Sequence, residues 1–387
     1  MRLDGLDQFR STLTRLVPGY VPLSGRGVKN FKMGSSMIKP ETSNLLNDSM
    51  FMKACRCEPT DYTPIWLMRQ AGRYMKEYRA IREKVPFLDL CQNAQLAAEV
   101  MITAVERIGV DAAIIFSDIL LILQPMGMDL EYIKDEGPVL HNPIRTFDQI
   151  RNLREVEPEE SLSFVFDVVR STRAMLRPNI PLIGFAGAPF TVASYMIEGG
   201  SSRNYENTKT LMYGEPSAWH DLMSLISLAT AKYLNGQVSA GVQALQLFDS
   251  WVGCLSPSDY REFVLPYTKS VIDAIFDGGP LIHFGTGTAM LLELMKEAGG
   301  QVIGLDFRVE LSQAWDRLGQ VSVQGNLDPC VLYADYPEIE KRAKQVLDQT
   351  EGRNGHIFNL GHGILPTMSV DKVVALVDYV HNQSGKL

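Results

Sequence analysis

Short apolar runs alternate with longer amphipathic segments along most of the chain. Eight of the runs are rich in β-branched and aromatic residues and end in a polar residue or glycine. They occupy residues 63–68, 111–117, 181–187, 244–249, 280–285, 301–307, 321–326 and 356–361. The segments between them, such as AQLAAEVMITAVERIG and TAMLLELMKEAGG, place apolar residues three and four positions apart and end on glycine, which is typical of amphipathic helices. This alternation predicts a parallel sheet covered by helices.

Eight such strands close most economically into a (β/α)8 barrel, so the pattern predicts a single-domain TIM barrel over residues 46–387. An open doubly wound sheet is the alternative. It is less favoured because no GxGxxG motif follows any of the predicted strands.

Residues 1–45 precede this pattern and are expected to be an extension. The stretch 8–40 contains six basic residues and no acidic ones. This composition fits either a disordered extension or a cleavable transit peptide that would direct the chain to a plastid or another organelle.

Composition excludes several classes of function. The chain has 387 residues, a formal net charge of −8 and a pI near 5.4, so it lacks the broad positive field that nucleic acids or anionic membranes require. No apolar run approaches the roughly 18 residues of a membrane span. The five cysteines form no CxxC pair or disulfide framework, which favours a reducing compartment and hence the cytoplasm.

Chemistry-bearing residues follow the predicted strands. In a barrel, the loops after the carboxyl ends of the strands build the active face, so we expect these residues to meet there. They are Arg69 and Arg73, Asp118, Tyr195, Asp249 and Ser250, Thr286, Asp306, Asn326 and His362. An aspartate after a strand also serves commonly as a helix N-cap, and a lone histidine is often structural.

One short stretch is unusually basic for an acidic protein. From Arg69 to Lys84 there are six basic residues against two acidic ones. Arginine pairs with both oxygens of a carboxylate and stays charged, so the stretch predicts a polyanionic carboxylate ligand. Arg69 and Arg73 are assigned to the site. Arg82 fits either the site or the solvated face of a helix.

Several motifs together resemble the uroporphyrinogen decarboxylase family of tetrapyrrole biosynthesis. They are MRQAGRY, IIFSDIL, PLIGFAGAPFT, YMIEGG, QGNLDPC and NLGHGI, and the resemblance extends from about residue 46 to about 382. It implies a (β/α)8 barrel, a homodimer and no metal or organic cofactor. The implied reaction removes a carboxyl group from each of the four acetate side chains of uroporphyrinogen III, giving coproporphyrinogen III.

The resemblance also implies site residues. Asp118, Arg69 and Arg73 are the expected catalytic residues. The substrate contacts that it implies are Arg69, Ala71, Arg73, Asp118, Tyr195, Ser250 and His362, and Arg82 is added from the basic stretch as a further expected contact. Tyr195 and Ser250 can donate hydrogen bonds to carboxylates, and a protonated His362 would add positive charge.

Decarboxylation needs an electron sink, and no motif here supplies one. Protonation of the substrate's own pyrrole ring would make an iminium-like cation that accepts the electrons. Asp118 is the expected counter-charge, because an ionised carboxylate can accept hydrogen bonds from several pyrrole N–H groups. We expect a neighbouring arginine to keep its pKa low. The proton donor stays open.

Two alternatives remain at this stage. A zinc- and cobamide-dependent methyltransferase would share the barrel and would need soft ligands, for which Cys254 and Cys330 are candidates. A non-catalytic tetrapyrrole carrier would use the same cavity without turnover.

Overall fold

The computed structural model describes residues 40–133, 137–276 and 278–385. The expectation for the N-terminal extension falls on residues 1–39, which lie outside that part of the chain. A helix at Pro40–Asn47 crosses the boundary expected at residue 45, so the start of the domain stays a prediction.

The predicted barrel is confirmed, and seven parallel strands of the described chain form one curled sheet. In the order in which they pair, they are β1 (Ala113–Ile114), β4 (Leu182–Gly187), β5 (Ala244–Asp249), β6 (Leu281–Gly285), β7 (Val302–Gly304), β8 (Ser322–Gln324) and β9 (His356–Ile357). Each lies within one of the runs predicted from the apolar pattern. An antiparallel hairpin outside the barrel adds β2 (Leu130–Ile133) and β3 (Gly137–Leu140).

The eighth position of the barrel is filled by the first predicted run. Ile65 forms a parallel bridge with Phe358, just beyond β9. The N–H of Phe358 donates to the carbonyl of Pro64 at 2.8 Å, and the N–H of Asp111, just before β1, donates to the carbonyl of Ile65 at 2.8 Å. The segment therefore joins the two edges of the sheet, and the closure excludes the open doubly wound alternative.

Helices occupy most of the remaining described chain. Those before β4 are α1 (Pro40–Asn47), α2 (Met50–Cys55), α3 (Lys76–Arg82), α4 (Phe87–Gln92), α5 (Ala94–Ile108), α6 (Leu123–Met126), α7 (Phe147–Arg151), α8 (Pro158–Ser161) and α9 (Ser163–Met175). Those after β4 are α10 (Pro189–Glu198), α11 (Glu206–Gly214), α12 (Pro216–Ala240), α13 (Pro257–Phe263), α14 (Leu265–Asp273), α15 (Leu292–Ala298), α16 (Leu311–Leu318), α17 (Tyr336–Asp348) and α18 (Val370–Ser384). None of the described helices is long and apolar enough to cross a membrane.

Local sequence signals mark where these helices begin. The side chain of Asn93 accepts a hydrogen bond from the N–H of Leu96 and so caps α5. Thr146 and Gln149 form a reciprocal capping box on α7. Such caps satisfy N–H groups that have no partner within the helix.

The barrel interior is filled by side chains, so it forms a floor beneath the mouth. Trp66 donates to Gln324 at 2.8 Å, and the Gln324 amide donates to Gln246 of β5 at 3.1 Å. Phe185 and Phe248 meet edge to face with their ring centroids 5.5 Å apart. Because residues two apart on a strand share a face, Phe248 lies one layer above Gln246, nearer the mouth.

Candidate active site

Hydrogen bonds of the buried Gln70 hold the loop that carries Arg69 in place. The N–H of Leu67 donates to the Gln70 side chain at 3.1 Å, and the Gln70 amide donates to the carbonyl of Ala112 at 3.1 Å. Tyr74 donates to the carbonyl of Gln70 at 2.7 Å. These bonds hold Arg69 in a left-handed conformation, with φ at 64°, and its side chain is exposed at the carboxyl end of the barrel.

Arg69 lies against the loop that follows β9. A Cβ atom at Gly363 would stand 2.6 Å from Cδ and 2.8 Å from Cγ of Arg69. Gly363 therefore leaves the space that the aliphatic part of Arg69 occupies. The first and last loops of the barrel thus meet at Arg69, which brings the RQAGR and LGHG motifs together.

Asp118 lies at the same mouth, in the loop after β1, the strand next to the segment that leads to Arg69. Its Oδ1 accepts a hydrogen bond from the N–H of Leu120 at 2.9 Å. Burial raises the pKa of Asp118, while Tyr132, the N–H of Leu120 and the charge of Arg69 each lower it. We expected a nearby arginine to keep this pKa low. Arg69 does act in that direction, but the desolvation of the carboxylate outweighs it.

Tyr132 of the β2–β3 hairpin is a site residue that sequence reasoning missed. Its hydroxyl is buried beside Asp118 and lowers the pKa of that carboxyl, although it does not reach the geometry of a regular hydrogen bond. The Tyr132 ring packs on Phe87, with the centroids 4.7 Å apart. The segment DLEYIKDEGPVL carries too little periodicity to predict a hairpin, and no sequence signal shows that it reaches Asp118.

Tyr195 of α10 faces the same charges. Burial raises its pKa, Asp118 raises it further and Arg69 lowers it. The Tyr195 ring stacks on Trp251, with a centroid separation of 3.7 Å and an interplanar angle of 26°. Trp251 follows β5 in the motif FDSWVG, so this stack locks α10 to the β5 loop.

His362 follows β9 and lies within electrostatic range of Arg69. Burial lowers the pKa of His362, and the charges of Arg69 and Arg308 lower it further. The imidazole is therefore mainly neutral at pH 7. The direction of this pKa shift opposes the expectation that a protonated His362 adds positive charge near neutral pH.

Asp249, the last residue of β5, and Ser250, which follows it, have different neighbours. Ser250 is half-buried, and its carbonyl accepts a hydrogen bond from the Thr286 hydroxyl. Asp249 is buried and accepts from Thr191 of α10 at 2.9 Å, so it faces a helix. Burial raises the pKa of Asp249 to about 7.

The remaining expected contacts, Ala71, Arg73 and Arg82, lie in or near the first loop and α3. Arg73 is exposed, and its charge acts on Tyr78. Arg82 lies over the Phe87 ring, 5.6 Å from its centroid, and donates to the carbonyl of Val85. Ala71 is half-buried against the apolar core. The structure therefore brings Arg69, Asp118, Tyr195 and His362 together and places Arg73 and Arg82 around the neighbouring α3.

The candidate soft metal ligands do not converge. Cys330 is exposed and Cys254 is half-buried in separate loops. His283 of β6 is buried with Nδ1 3.2 Å from the carbonyl of Met295 in α15. Across the described ranges, no three His, Cys, Asp or Glu side chains come together as a metal-binding group.

Comparisons with known proteins agree with these motifs. The sequence model of the family described as "Uroporphyrinogen decarboxylase" matches residues 46–383. The chain is 54% identical to the uroporphyrinogen decarboxylase of Sorangium cellulosum over 334 residues, which cover 86% of this chain and 95% of that protein. It is 50% identical to the uroporphyrinogen decarboxylase of Carboxydothermus hydrogenoformans, over 88% of this chain and 97% of that one.

The fold is also similar to that of a methyltransferase from Methanosarcina mazei. The two structures superpose with a TM-score of 0.73, covering 87% of this chain and 99% of that one, at 18% sequence identity. At this level of identity the similarity concerns the fold alone.

Proposed function

Because this chain belongs to the uroporphyrinogen decarboxylase family, we propose that the mouth of its barrel removes the acetate carboxyl groups of uroporphyrinogen III. The chain is a carboxy-lyase of tetrapyrrole biosynthesis, and its product is coproporphyrinogen III. One observation supports this most strongly: the charge of Arg69 acts on Asp118, Tyr195 and His362. These residues come from four different loops and helices.

The substrate carries eight carboxylates, and charged and polar side chains at the rim of the site can bind them. Arg69 offers a guanidinium fork beside Gly363, where it can hold an acetate or propionate arm. Tyr195 donates a phenolic hydrogen bond, since burial and Asp118 raise its pKa and keep it protonated. Ser250 and the neutral His362 add polar contacts. Ala71, Arg73 and Arg82 complete the proposed set of substrate contacts around the first loop.

The chemical step uses the substrate as its own electron sink. A proton adds to the pyrrole α-carbon next to the carbon that bears the acetate, and the ring becomes a conjugated iminium cation. The carbon–carbon bond to the carboxylate then breaks, carbon dioxide leaves and the bonding electrons neutralise the cation. Protonation of the resulting methylene group and loss of the α-proton give a methyl group and restore the pyrrole.

Asp118 is proposed to stabilise the cationic ring. An ionised carboxylate in a desolvated site interacts strongly with a positive charge that develops in the transition state. The same carboxylate can accept hydrogen bonds from pyrrole N–H groups in the ground state. One central aspartate can serve each ring in turn if the substrate rebinds in a new orientation. Arg69 and Arg73 are proposed to guide the reacting carboxylate and to order the proton donor.

We also propose that the chain works as a homodimer in the cytoplasm. The family resemblance supports the dimer, and the cysteine pattern supports a reducing compartment. Sedimentation of the purified protein, and microscopy of a tagged full-length chain, test these two proposals.

The activity is tested by anaerobic incubation of the purified wild-type protein with uroporphyrinogen III, without added metal or cofactor. Chromatography should show products with seven, six, five and four carboxylates in succession, unaffected by a chelator. Binding of the substrate without this series would favour the carrier. Chelator-sensitive methyl transfer from a cobamide would favour the methyltransferase.

A further inference from the structure

Arg308 is a rim arginine to which sequence reasoning gave no role. It follows β7, at the same end of the barrel as the other site residues. Its Nη1 atom lies 2.6 Å from Oδ2 of Asp306, and its guanidinium lies 4.3 Å from the centroid of the Phe307 ring. The Arg308 side chain is 55% exposed, whereas that of Asp306 is 1% exposed. A buried carboxylate thus orients a guanidinium whose outer edge faces solvent.

Asp306 is itself fixed by the neighbouring loops. Its Oδ1 accepts the N–H of Arg308 at 3.0 Å, and its Oδ2 accepts the N–H of Gly287, after β6, at 2.5 Å. The side chain of Asn326, after β8, donates to the carbonyl of Asp306 at 2.9 Å. The loops after β6, β7 and β8 therefore meet at Asp306, next to the Arg308 side chain. Backbone N–H groups share the charge of Asp306, so the carboxylate orients Arg308 without fully neutralising it.

The charge of Arg308 reaches the proposed site. It lowers the pKa of His362, as Arg69 does, and it outweighs the opposite effect of Asp306 on the same imidazole. Because His362 is mainly neutral at pH 7, the imidazole does not supply the positive charge on this side of the mouth. Arg69 and Arg308, which both act on this imidazole, supply the positive charge there. A substrate with carboxylates around its whole perimeter requires cations on more than one side.

We propose that Arg308 is a further substrate-binding residue, which holds one carboxylate arm of the tetrapyrrole on the His362 side of the mouth. The inference rests on the proposed function and extends it. A guanidinium has five N–H donors. The Nη1 contact with Asp306 leaves an outer edge that can take a second carboxylate in a forked geometry.

The chain contains a matched control for this arrangement. Arg353 also donates to an aspartate, Asp316, at 2.8 Å and lies over an aromatic ring, 4.8 Å from the centroid of a Trp315 ring. It precedes β9, at the opposite end of the barrel. The substitution Arg353→Gln therefore removes an arginine–aspartate ion pair and a ring contact far from the mouth, together with hydrogen bonds to the carbonyls of Gln349 and Thr350.

The test compares Arg308→Gln, Arg308→Lys and Arg353→Gln with the wild-type enzyme. Arg308→Gln should raise KM for uroporphyrinogen III about tenfold, with kcat within about threefold, because it removes a charge-assisted hydrogen bond. It should also weaken the dependence of KM on salt. Arg308→Lys keeps the charge but loses the forked geometry, so its KM should lie between those of the wild-type enzyme and Arg308→Gln. Arg353→Gln should behave as the wild-type enzyme does.

Thermal melting separates binding from folding. A wild-type KM in Arg308→Gln would overturn the assignment. Equal increases of KM in both Arg308 variants, accompanied by equal losses of Tm, would also overturn it. That result would mean that Arg308 only stabilises the contact between the loops. The wild-type turnover is measured first. Its absence would contradict the proposed function itself, whereas an active enzyme with unchanged KM in Arg308→Gln would contradict only this inference.

Discussion

At the scale of single residues, the proposed stabilisation of the cationic ring requires an ionised Asp118. Five groups face its carboxyl from the elements packed around it: Arg69, Cys91, Tyr132, Tyr195 and Tyr233. Burial raises the pKa of Asp118, while Tyr132 is the first of the groups that lower it. Tyr132 thus opposes the effect of burial on the pKa of Asp118.

Substitution of Tyr132 by Phe should therefore weaken the enzyme at acid pH. Loss of the hydroxyl raises the pKa of Asp118 further, so the carboxylate takes up its proton at higher pH. The acid limb of kcat/KM against pH should move to higher pH, with about a tenfold loss at the acid end.

Tyr62→Phe provides the control, since Tyr62 donates to Asp111 at 2.8 Å, a tyrosine–aspartate pair before β1 and away from the mouth. A Tyr132→Phe profile that superposes on those of the wild-type enzyme and Tyr62→Phe would rule out this role for Tyr132.

The sequence could predict some of these residues and not others. Arg69, Asp118, Tyr195 and His362 stand directly in recognisable motifs, and the structure brings them together. Tyr132, Trp251 and Arg308 were missed because their importance lies in contacts between loops that are distant in sequence. The direction of the pKa shift of His362 also depends on its burial and on the charge of Arg308. Neither can be deduced from the order of residues along the chain.

At the scale of elements, the stack of Tyr195 on Trp251 joins α10 to the β5 loop. Aromatic pairs of this kind contribute about 0.5–1.5 kcal/mol beyond the area that they bury. Trp251→Ala should release the Tyr195 ring and raise KM about threefold to tenfold, with a smaller effect on kcat. Trp251→Phe keeps a flat ring and should restore most of the affinity.

Steady-state kinetics of the two Trp251 variants, with thermal melts of each, check this prediction. Equal KM values for Trp251→Ala and the wild-type enzyme would show that Tyr195 is held in place by other contacts.

The apolar pattern predicted the barrel elements well. All eight runs contain a strand, or in one case the bridge at Ile65, because buried parallel strands are apolar on both faces. The β2–β3 hairpin was not predicted. Its strands are four residues each, and so short a segment carries little periodicity. It is also stabilised by tertiary contacts, including the N–H of Leu140 donating to the carbonyl of Gly199 at 2.8 Å.

At the scale of the whole molecule, buried histidines link stability to pH. Burial lowers the pKa of His283 from 6.5 to about 4. Between these values only the unfolded chain takes up the proton, so the stability of the folded enzyme should fall as pH decreases from about 6.5 to 4. At pH 4 this group lowers the free energy of unfolding by on the order of 3 kcal/mol.

Thermal melts from pH 8 to pH 4 test this linkage. His283→Gln should have a lower Tm at pH 8 but a shallower loss of Tm on acidification. His141→Gln is the control, because the His141 side chain is 45% exposed. Parallel Tm curves for His283→Gln and the wild-type enzyme would contradict a neutral buried His283.

The most direct test of the account is the kcat of Asp118→Asn with uroporphyrinogen III under anaerobic conditions. Asparagine keeps the shape and removes the charge. We predict that kcat falls by about 10² or more, while the variant melts as the wild-type enzyme does and binds the octacarboxylate with similar affinity in anaerobic ultrafiltration. Asp316→Asn, at the other end of the barrel, should stay fully active. A folded Asp118→Asn enzyme that releases carbon dioxide within a few-fold of the wild-type rate would contradict the claim that the Asp118 charge stabilises the cationic ring.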